Sequence, residues 1–200
     1  LMVHFFGQPQ NVDLFKAFCK KHKLKLIEDN AHGYGGTIDG KNMGTFGDIG
    51  ISSPRKSIKN LYSGGILTIN SKYFLKFPNI KKYKPSISQR FKFLVSKIPE
   101  KNFSKLFKNR PKYENPLEFN EKEILDLQID SKSRNIIKSV DISKLKKNRR
   151  EKFNEYKDLA IKNNLKPVII SLSEDSNPWC FPAYTRGIND SIKWFDWGWK

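Results

Sequence analysis

Leu24-Lys25-Leu26-Ile27-Glu28-Asp29-Asn30-Ala31-His32, with Ser52-Ser53-Pro54-Arg55-Lys56 downstream, is the part of the chain whose reading decides the fold. The first stretch reads as a buried strand, Leu24 to Ile27, ending in two carboxylates and a polar loop. Upstream, Leu1 to Phe6 is a short apolar run closed by Gly7-Gln8-Pro9, the pattern of a strand and a turn. Between them Asn11 is a good N-cap for a helix from Val12 to about His22, with Val12, Phe15, Cys19 and His22 on one face. Strand, helix and strand with short links make a βαβ unit, so the spacing predicts an α/β fold with a mainly parallel, helix-covered sheet. Ligands of such sheets gather at the carboxyl ends of the strands, where Glu28 and Asp29 fall.

The second stretch sets Lys56 beside two hydroxyls and an arginine. A strand-end acid and a lysine in a following loop are what pyridoxal phosphate asks of a protein. A carboxylate keeps its pyridine nitrogen protonated, and an amine holds its aldehyde. On its own the pairing fits equally an ordinary strand-end acid and one surface lysine among many.

Farther along, Asp39-Gly40 reads as a hairpin turn, and Ile49 to Ser52 and Ile66 to Ile69 as strands. The glycine-rich stretch from Gly33 to Gly44 fits neither the Walker nor the dinucleotide pattern. Phe91, Phe93, Leu94 and Val95 suggest a helix, and another is expected from Asn120 into the 130s. Ile142, Leu145, Arg149, Phe153, Tyr156 and Ala160 mark a long amphipathic helix with a basic polar face, ended by Lys166-Pro167. Val168 to Ile170 and Phe181 to Thr185 read as strands, the second at an edge because of Pro182.

Apolar residues make up 38% of the 200-residue chain, with 15 Phe, 7 Tyr and 4 Trp, enough for a core and too many for a disordered segment. The net charge of +18 would attract polyanions, but the lysines are spread along the whole length rather than gathered into a groove. No nucleic acid partner is therefore expected. Cys19 and Cys180 match no metal or redox spacing, so no metal is expected, and Cys19 reads as a reduced, buried thiol. With no long apolar run and no leader, the expectation is a cytoplasmic protein without a membrane partner. The chain begins inside a strand and ends on Trp194-Phe195-Asp196-Trp197-Gly198-Trp199, so a fragment is expected, with exposed apolar patches at both ends.

His4-Phe5-Phe6-Gly7-Gln8-Pro9, then Ile27-Glu28-Asp29-Asn30-Ala31-His32, then Gly44-Thr45-Phe46-Gly47-Asp48, then the lysine loop and Gly64-Gly65, resemble in order and spacing the DegT/DnrJ/StrS family of sugar aminotransferases. The tail, Arg149 and Asn154 on a helix and then Pro178-Trp179-Cys180-Phe181-Pro182, is similar to that family's approach to its small domain. The resemblance implies a pyridoxal phosphate enzyme of fold type I. Residues 1–140 would be the C-terminal part of the large, cofactor-binding domain, and 141–200 the start of the small C-terminal domain. It further implies a homodimer that moves an amino group, usually from glutamate, to a keto sugar carried on a nucleotide.

By the same resemblance Asp29 is the acid on the pyridine nitrogen, His32 contacts the cofactor's phenolic oxygen, and Ser52 holds the phosphate, with Ser53 as the fallback. Counting back from Gly64-Gly65 makes Lys56 the catalytic lysine. Lys59 is the alternative, because Lys59-Asn60-Leu61 copies the family's K-N-L letters. Two departures stand out: Ser63 replaces the family's Asp before the glycine pair, and the loop after Lys56 is short. Those departures leave room for an inactive regulatory or sensor member of the fold, and the charge for a basic nucleic-acid-binding module.

Overall fold

The computed structural model describes residues 1–59, 61, 63–70, 80–88, 90–91 and 127–198. Met2–Val3 forms β1, and the chain turns at once into a 3-10 turn over Phe5–Gly7. The strand expected through Phe6 stops early for two local reasons. The His4 ring turns inward, its Nε2 lying 2.9 Å from Glu28 Oε1, and Phe6 takes a φ of 56°, uncommon for a bulky residue. Helix α1 spans Val12–Lys21, with Asn11 Oδ1 accepting from Leu14 N at 3.0 Å, as the cap predicts. Val12, with Phe15 and Cys19, packs on Met2 and Leu26, while His22 ends the helix exposed.

Strand β2 covers Ile27–Asn30, later than the expected Leu24–Ile27. Leu24 is exposed, and Leu26 N donates to Asp48 Oδ2 at 2.9 Å. Glu28 and Asp29 therefore lie inside the strand, on opposite faces. Thr37–Ile38 (β3) and Lys41–Asn42 (β4) close the expected hairpin. Asp39 and Gly40, at φ 50° and 75°, supply the two left-handed residues of its turn. Ile49–Ser52 (β5), the one-turn helix Pro54–Ser57 (α2) and Ile66–Ile69 (β6) follow. The sheet order is β1-β2-β5-β6, with β1, β2 and β5 parallel and β6 antiparallel to β5, so the expected mixed α/β fold with a mainly parallel sheet is present.

Lys81–Lys82 (β7) pairs in parallel with Leu127–Gln128 (β8). The helix expected from Asn120 begins at Ser131, where Asp130 Oδ1 caps Ser133 N, and runs to Ser139 as α3. The helix expected around Phe93, Leu94 and Val95 lies outside the described residues. Ile142–Lys162 is the long helix the periodicity predicts (α4), capped by Asp141, with Phe153 and Ala160 buried. Lys166–Pro167 (β9) pairs antiparallel with Ala183–Tyr184 (β10). The strand expected at Val168–Ile170 does not form; Val168 N donates to Pro182 O at 3.0 Å, and no further rung of that pairing follows. Ile188–Gly198 is a helix (α5), its Trp194 and Trp197 rings meeting edge to face at 5.5 Å. Of the apolar patches expected at the ends, Phe5 is 58% and Trp197 52% exposed. Among the described residues no helix is long and apolar enough to cross a membrane.

Candidate active site

The alternation of β2 decides what each acid can do. Glu28 and Asn30 point to the covered face, Ile27 and Asp29 to the other. Glu28 is fully buried. It accepts from His4 Nε2 and from three backbone N–H groups of the loop after β4: Gly44 and Phe46 at 2.6 Å and Gly47 at 3.0 Å. Gln10 N donates to His4 Nδ1 at 3.1 Å, which leaves the proton on Nε2 for Glu28. Burial pushes the Glu28 carboxyl up. The hydrogen bonds from His4, Gly44, Gly47 and Phe46 more than offset it, so the carboxyl titrates below its ordinary range. The loop fits this closely only because residue 50 is glycine: a Cβ there would lie 1.9 Å from Gly44 O. The Gly44–Asp48 segment is thus a backbone cradle for a structural carboxylate.

Ser52 belongs to the same buried face. In register with Asn30, its Oγ lies 3.4 Å from Asn30 Nδ2, on the opposite side of the sheet from Asp29. Ser53 follows, half-buried, at the N-cap of α2, with no hydrogen bond from its side chain into the helix.

On the other face Asp29 Oδ1 accepts from Ala31 N at 2.8 Å, and no hydrogen bond reaches its other oxygen among the described residues. His32 lies just beyond β2, and its Nδ1 accepts from Phe6 N at 3.4 Å. The His32 ring lies near-parallel to two others, its centroid 4.3 Å from that of the Trp179 ring and 6.3 Å from that of the Phe6 ring. Lys56 Nζ sits 5.0 Å from the centroid of the same Trp179 ring. Burial lowers the pKa of His32, the Lys56 ammonium lowers it further, and the Asp29 carboxylate opposes both, so all three groups share one electrostatic neighbourhood. Lys59 is exposed and lines an open cavity of about 790 Å³ between the end of α2 and α4, with Arg149, Phe153, Trp179 and Phe181.

The Trp179 ring arrives by a strap, residues 173–179, that runs along the glycine-rich loop. Thr37 N and Oγ1 donate to Asp175 O and Oδ1 at 3.0 and 2.8 Å. The Asn177 side chain donates to Tyr34 O, and Trp179 N donates to Phe6 O at 3.2 Å. Arg149 and Arg150 of α4 hold the strap from behind through its carbonyl oxygens. In the sequence Arg149 stands out as a member of the helix stripe and as a family letter, Trp179 as a family letter alone. The signal available for Arg149 was a charged residue inside the apolar stripe of a helix; for Trp179 there was none, because its partners lie far away in the chain. Ser63, the departure from the family's Asp, donates from Oγ to the buried Asp130 carboxylate at 2.9 Å. An Asp in its place would set two carboxylates against each other.

The chemistry of these groups suits pyridoxal phosphate: an acid with one oxygen unpartnered among the described residues, an amine, an imidazole and a serine hydroxyl. Residues 1–78 match the DegT/DnrJ/EryC1/StrS aminotransferase family, which bears out the resemblance read from the sequence over that stretch. A UDP-N-acetyl-3-dehydro-alpha-D-glucosamine 3-aminotransferase of Acidithiobacillus ferrooxidans is 39% identical over 67 residues, 32% of this chain and 18% of that protein. The GDP-perosamine synthase of Vibrio cholerae is 37% identical over 73 residues, 36% of this chain and 20% of that protein. The aligned stretch thus spans about a fifth of these relatives' length. A crystal structure of a DegT DnrJ EryC1 StrS aminotransferase from Brucella abortus covers 88% of this chain and 40% of its own, with 16% identity and a TM-score of 0.44.

Proposed function

We propose, taking the match of residues 1–78 to the DegT/DnrJ/EryC1/StrS aminotransferase family as the premise, that the chain is the lysine-bearing part of a pyridoxal phosphate-dependent aminotransferase of fold type I. Its substrates would be a nucleotide-linked keto sugar and an amino donor such as glutamate, and its working form a cytoplasmic homodimer. The observation that carries the reading is the setting of Lys56: its Nζ lies 5.0 Å from the Trp179 ring that stacks on His32, and its charge and that of Asp29 both act on His32.

The cofactor, when bound, supplies an electron sink for charge developing on the substrate carbon. The chain supplies the rest. The Asp29 carboxylate would hold a protonated ring nitrogen, its charge disfavouring loss of that proton. His32, titrating low, would offer a neutral imidazole to an oxygen instead of a second positive charge beside Lys56. Lys56 Nζ is the amine that would hold the cofactor, and it would serve as the base that carries the proton to be moved. A serine hydroxyl would donate to the phosphate: Ser52, whose Oγ accepts from Asn30 Nδ2 at 3.4 Å, or Ser53, at the N-cap of α2. The domain division at residue 140 is part of the proposal. Asp141, which caps α4, stands at that boundary.

The test is reconstitution with pyridoxal phosphate, borohydride reduction and peptide mapping. The label is expected on Lys56, and the absorbance of the bound cofactor is expected to vanish in Lys56→Ala and survive in Lys59→Ala. A label on Lys59, or none on either lysine, would overturn the reading. Retained cofactor without amino transfer to any nucleotide keto sugar would point to the regulatory member of the fold instead.

A further inference from the structure

Arg149 occupies a costly position. It stands in the apolar stripe of α4, between Leu145 and Phe153, and its side chain is half-buried. Among the described residues no carboxylate pairs with it. Burial pushes its pKa down, and only the neighbouring Cys180 thiol acts the other way. Its Nε is buried without a partner among the described residues. Drawing a cation partly out of water costs free energy that leucine or methionine in the same stripe would not incur.

What the guanidinium does make is four bonds to carbonyl oxygens from two separate segments. Nη1 donates to Pro178 O at 3.2 Å and Trp179 O at 2.8 Å. Nη2 donates to Lys56 O at 2.9 Å and Ser57 O at 3.1 Å. The second pair are carbonyls at the end of α2, a helix of one turn, too short to satisfy its own last acceptors. Arg149 therefore caps the lysine helix from another element. With the other edge of the same planar fork it grips the backbone of the residue whose ring lies under Lys56 Nζ. A lysine could not copy this, because a point cation on a flexible stem reaches one pair of carbonyls at a time.

We infer that Arg149 is the positioning residue of Lys56: its guanidinium locks the one-turn helix that carries the lysine to the strap that carries Trp179, and so sets where Lys56 Nζ stands relative to the Trp179–His32 stack. This rests on the reading of Lys56 given above, but the juxtaposition itself needs no cofactor. Arg149 touches no reacting atom in this scheme; it distinguishes Lys56 from Lys59, which lies three residues on and receives no such hold.

The experiment is trace acylation of the cofactor-free chain, reading the Lys56 to Lys59 labelling ratio by mass spectrometry in the parent, Arg149→Met and Arg149→Lys, each checked for fold by circular dichroism. In the parent, Lys56 is expected to label about two- to fivefold more slowly than Lys59, the factor one cation–π contact carries at a partly exposed site. In both variants the two rates should converge. A purely structural role would lower the melting temperature and leave the ratio unchanged in the folded population. The inference is overturned if a folded Arg149→Lys keeps the parent ratio, or if the parent labels both lysines alike. Loss of fold in both variants would also overturn it, since Arg149 would then belong to the fold itself. Should borohydride place no cofactor on Lys56 of the parent, the functional reading falls while the labelling ratio still decides the role of Arg149.

Discussion

Glu28 and Asp29 are adjacent, chemically alike and on the same strand, yet the two faces of the sheet give them opposite employment. On the covered face Glu28 has lost all contact with water and is held by His4 and three backbone N–H groups. On the other face Asp29 keeps an oxygen without a partner among the described residues, near Lys56 and His32, and its strand neighbours Ile27 and Ile51 are 42% and 43% exposed. One face spends its carboxylate on closing a loop; the other keeps a carboxylate free to meet something. A buried ion that has every donor it can use holds structure and does no chemistry, whereas an ion left under-coordinated beside a lysine is available for it.

The largest break in that comparison should come from Glu28→Ala. Removing the acid leaves three backbone donors and the His4 Nε2–H facing each other across a void, a situation that costs about 3–5 kcal/mol. Urea unfolding of the variant should show that loss. If it matched Asp29→Ala instead, the two faces would not differ as described.

Gly50→Ala comes next. The added Cβ would meet Gly44 O at 1.9 Å, backbone against backbone, so β5 and the Glu28 cradle must part. Overpacking of this kind costs about 1–3 kcal/mol. A melting temperature equal to the parent's would mean that the cradle tolerates the shift.

Much of this was legible in advance. The βαβ start, the Asn11 cap, the Asp39-Gly40 turn and the strands at Ile49 and Ile66 were written in local patterns that the structure keeps. The start of β2 was misplaced, because the apolar letters begin at Leu24 while the ladder waits for Asp48 to release Leu26. That shift moved Glu28 and Asp29 from a strand end into the strand and hid their division of labour. Of the two serines, Ser52 lies on the buried face in register with Asn30, and Ser53 follows beyond the strand at the N-cap of α2. Trp179 was beyond reach because its place depends on a strap held by Arg149, Asn177 and Asp175, none of them near His32 in the chain.

A smaller and directional effect is the acid limb of stability. The folded Glu28 carboxyl titrates below its unfolded value, so the folded state binds fewer protons. Its contribution is complete above the unfolded pKa and is lost as pH falls through the folded one. His32 acts in the same sense nearer neutrality: its folded pKa lies below the unfolded value, so stability should decline as pH drops from the ordinary histidine value toward the folded one. Unfolding free energy measured against pH should therefore rise from acid toward neutral. Glu28→Gln should flatten the lower part of that rise and leave the upper part alone, and His32→Gln should do the reverse. A Glu28→Gln profile parallel to the parent's at every pH would show that this carboxyl is not the group responsible.

The smallest stability change should come from Asp29→Asn, and its smallness is the sharpest test of the contrast. The only side-chain hydrogen bond Asp29 makes among the described residues, Oδ1 accepting from Ala31 N, is one an amide oxygen can make equally well. With no cradle to lose, the variant should unfold within about 0.5 kcal/mol of the parent. Electrostatically it should not be silent. The Asp29 carboxylate is what raises His32 against burial and against Lys56, so its removal should move the His32 titration, followed by proton NMR, further down. Unchanged stability with a lowered His32 pKa would place the Asp29 charge beside His32 without structural duty. A loss comparable to that of Glu28→Ala, or a His32 titration that stays in place, would erase the distinction between the two faces.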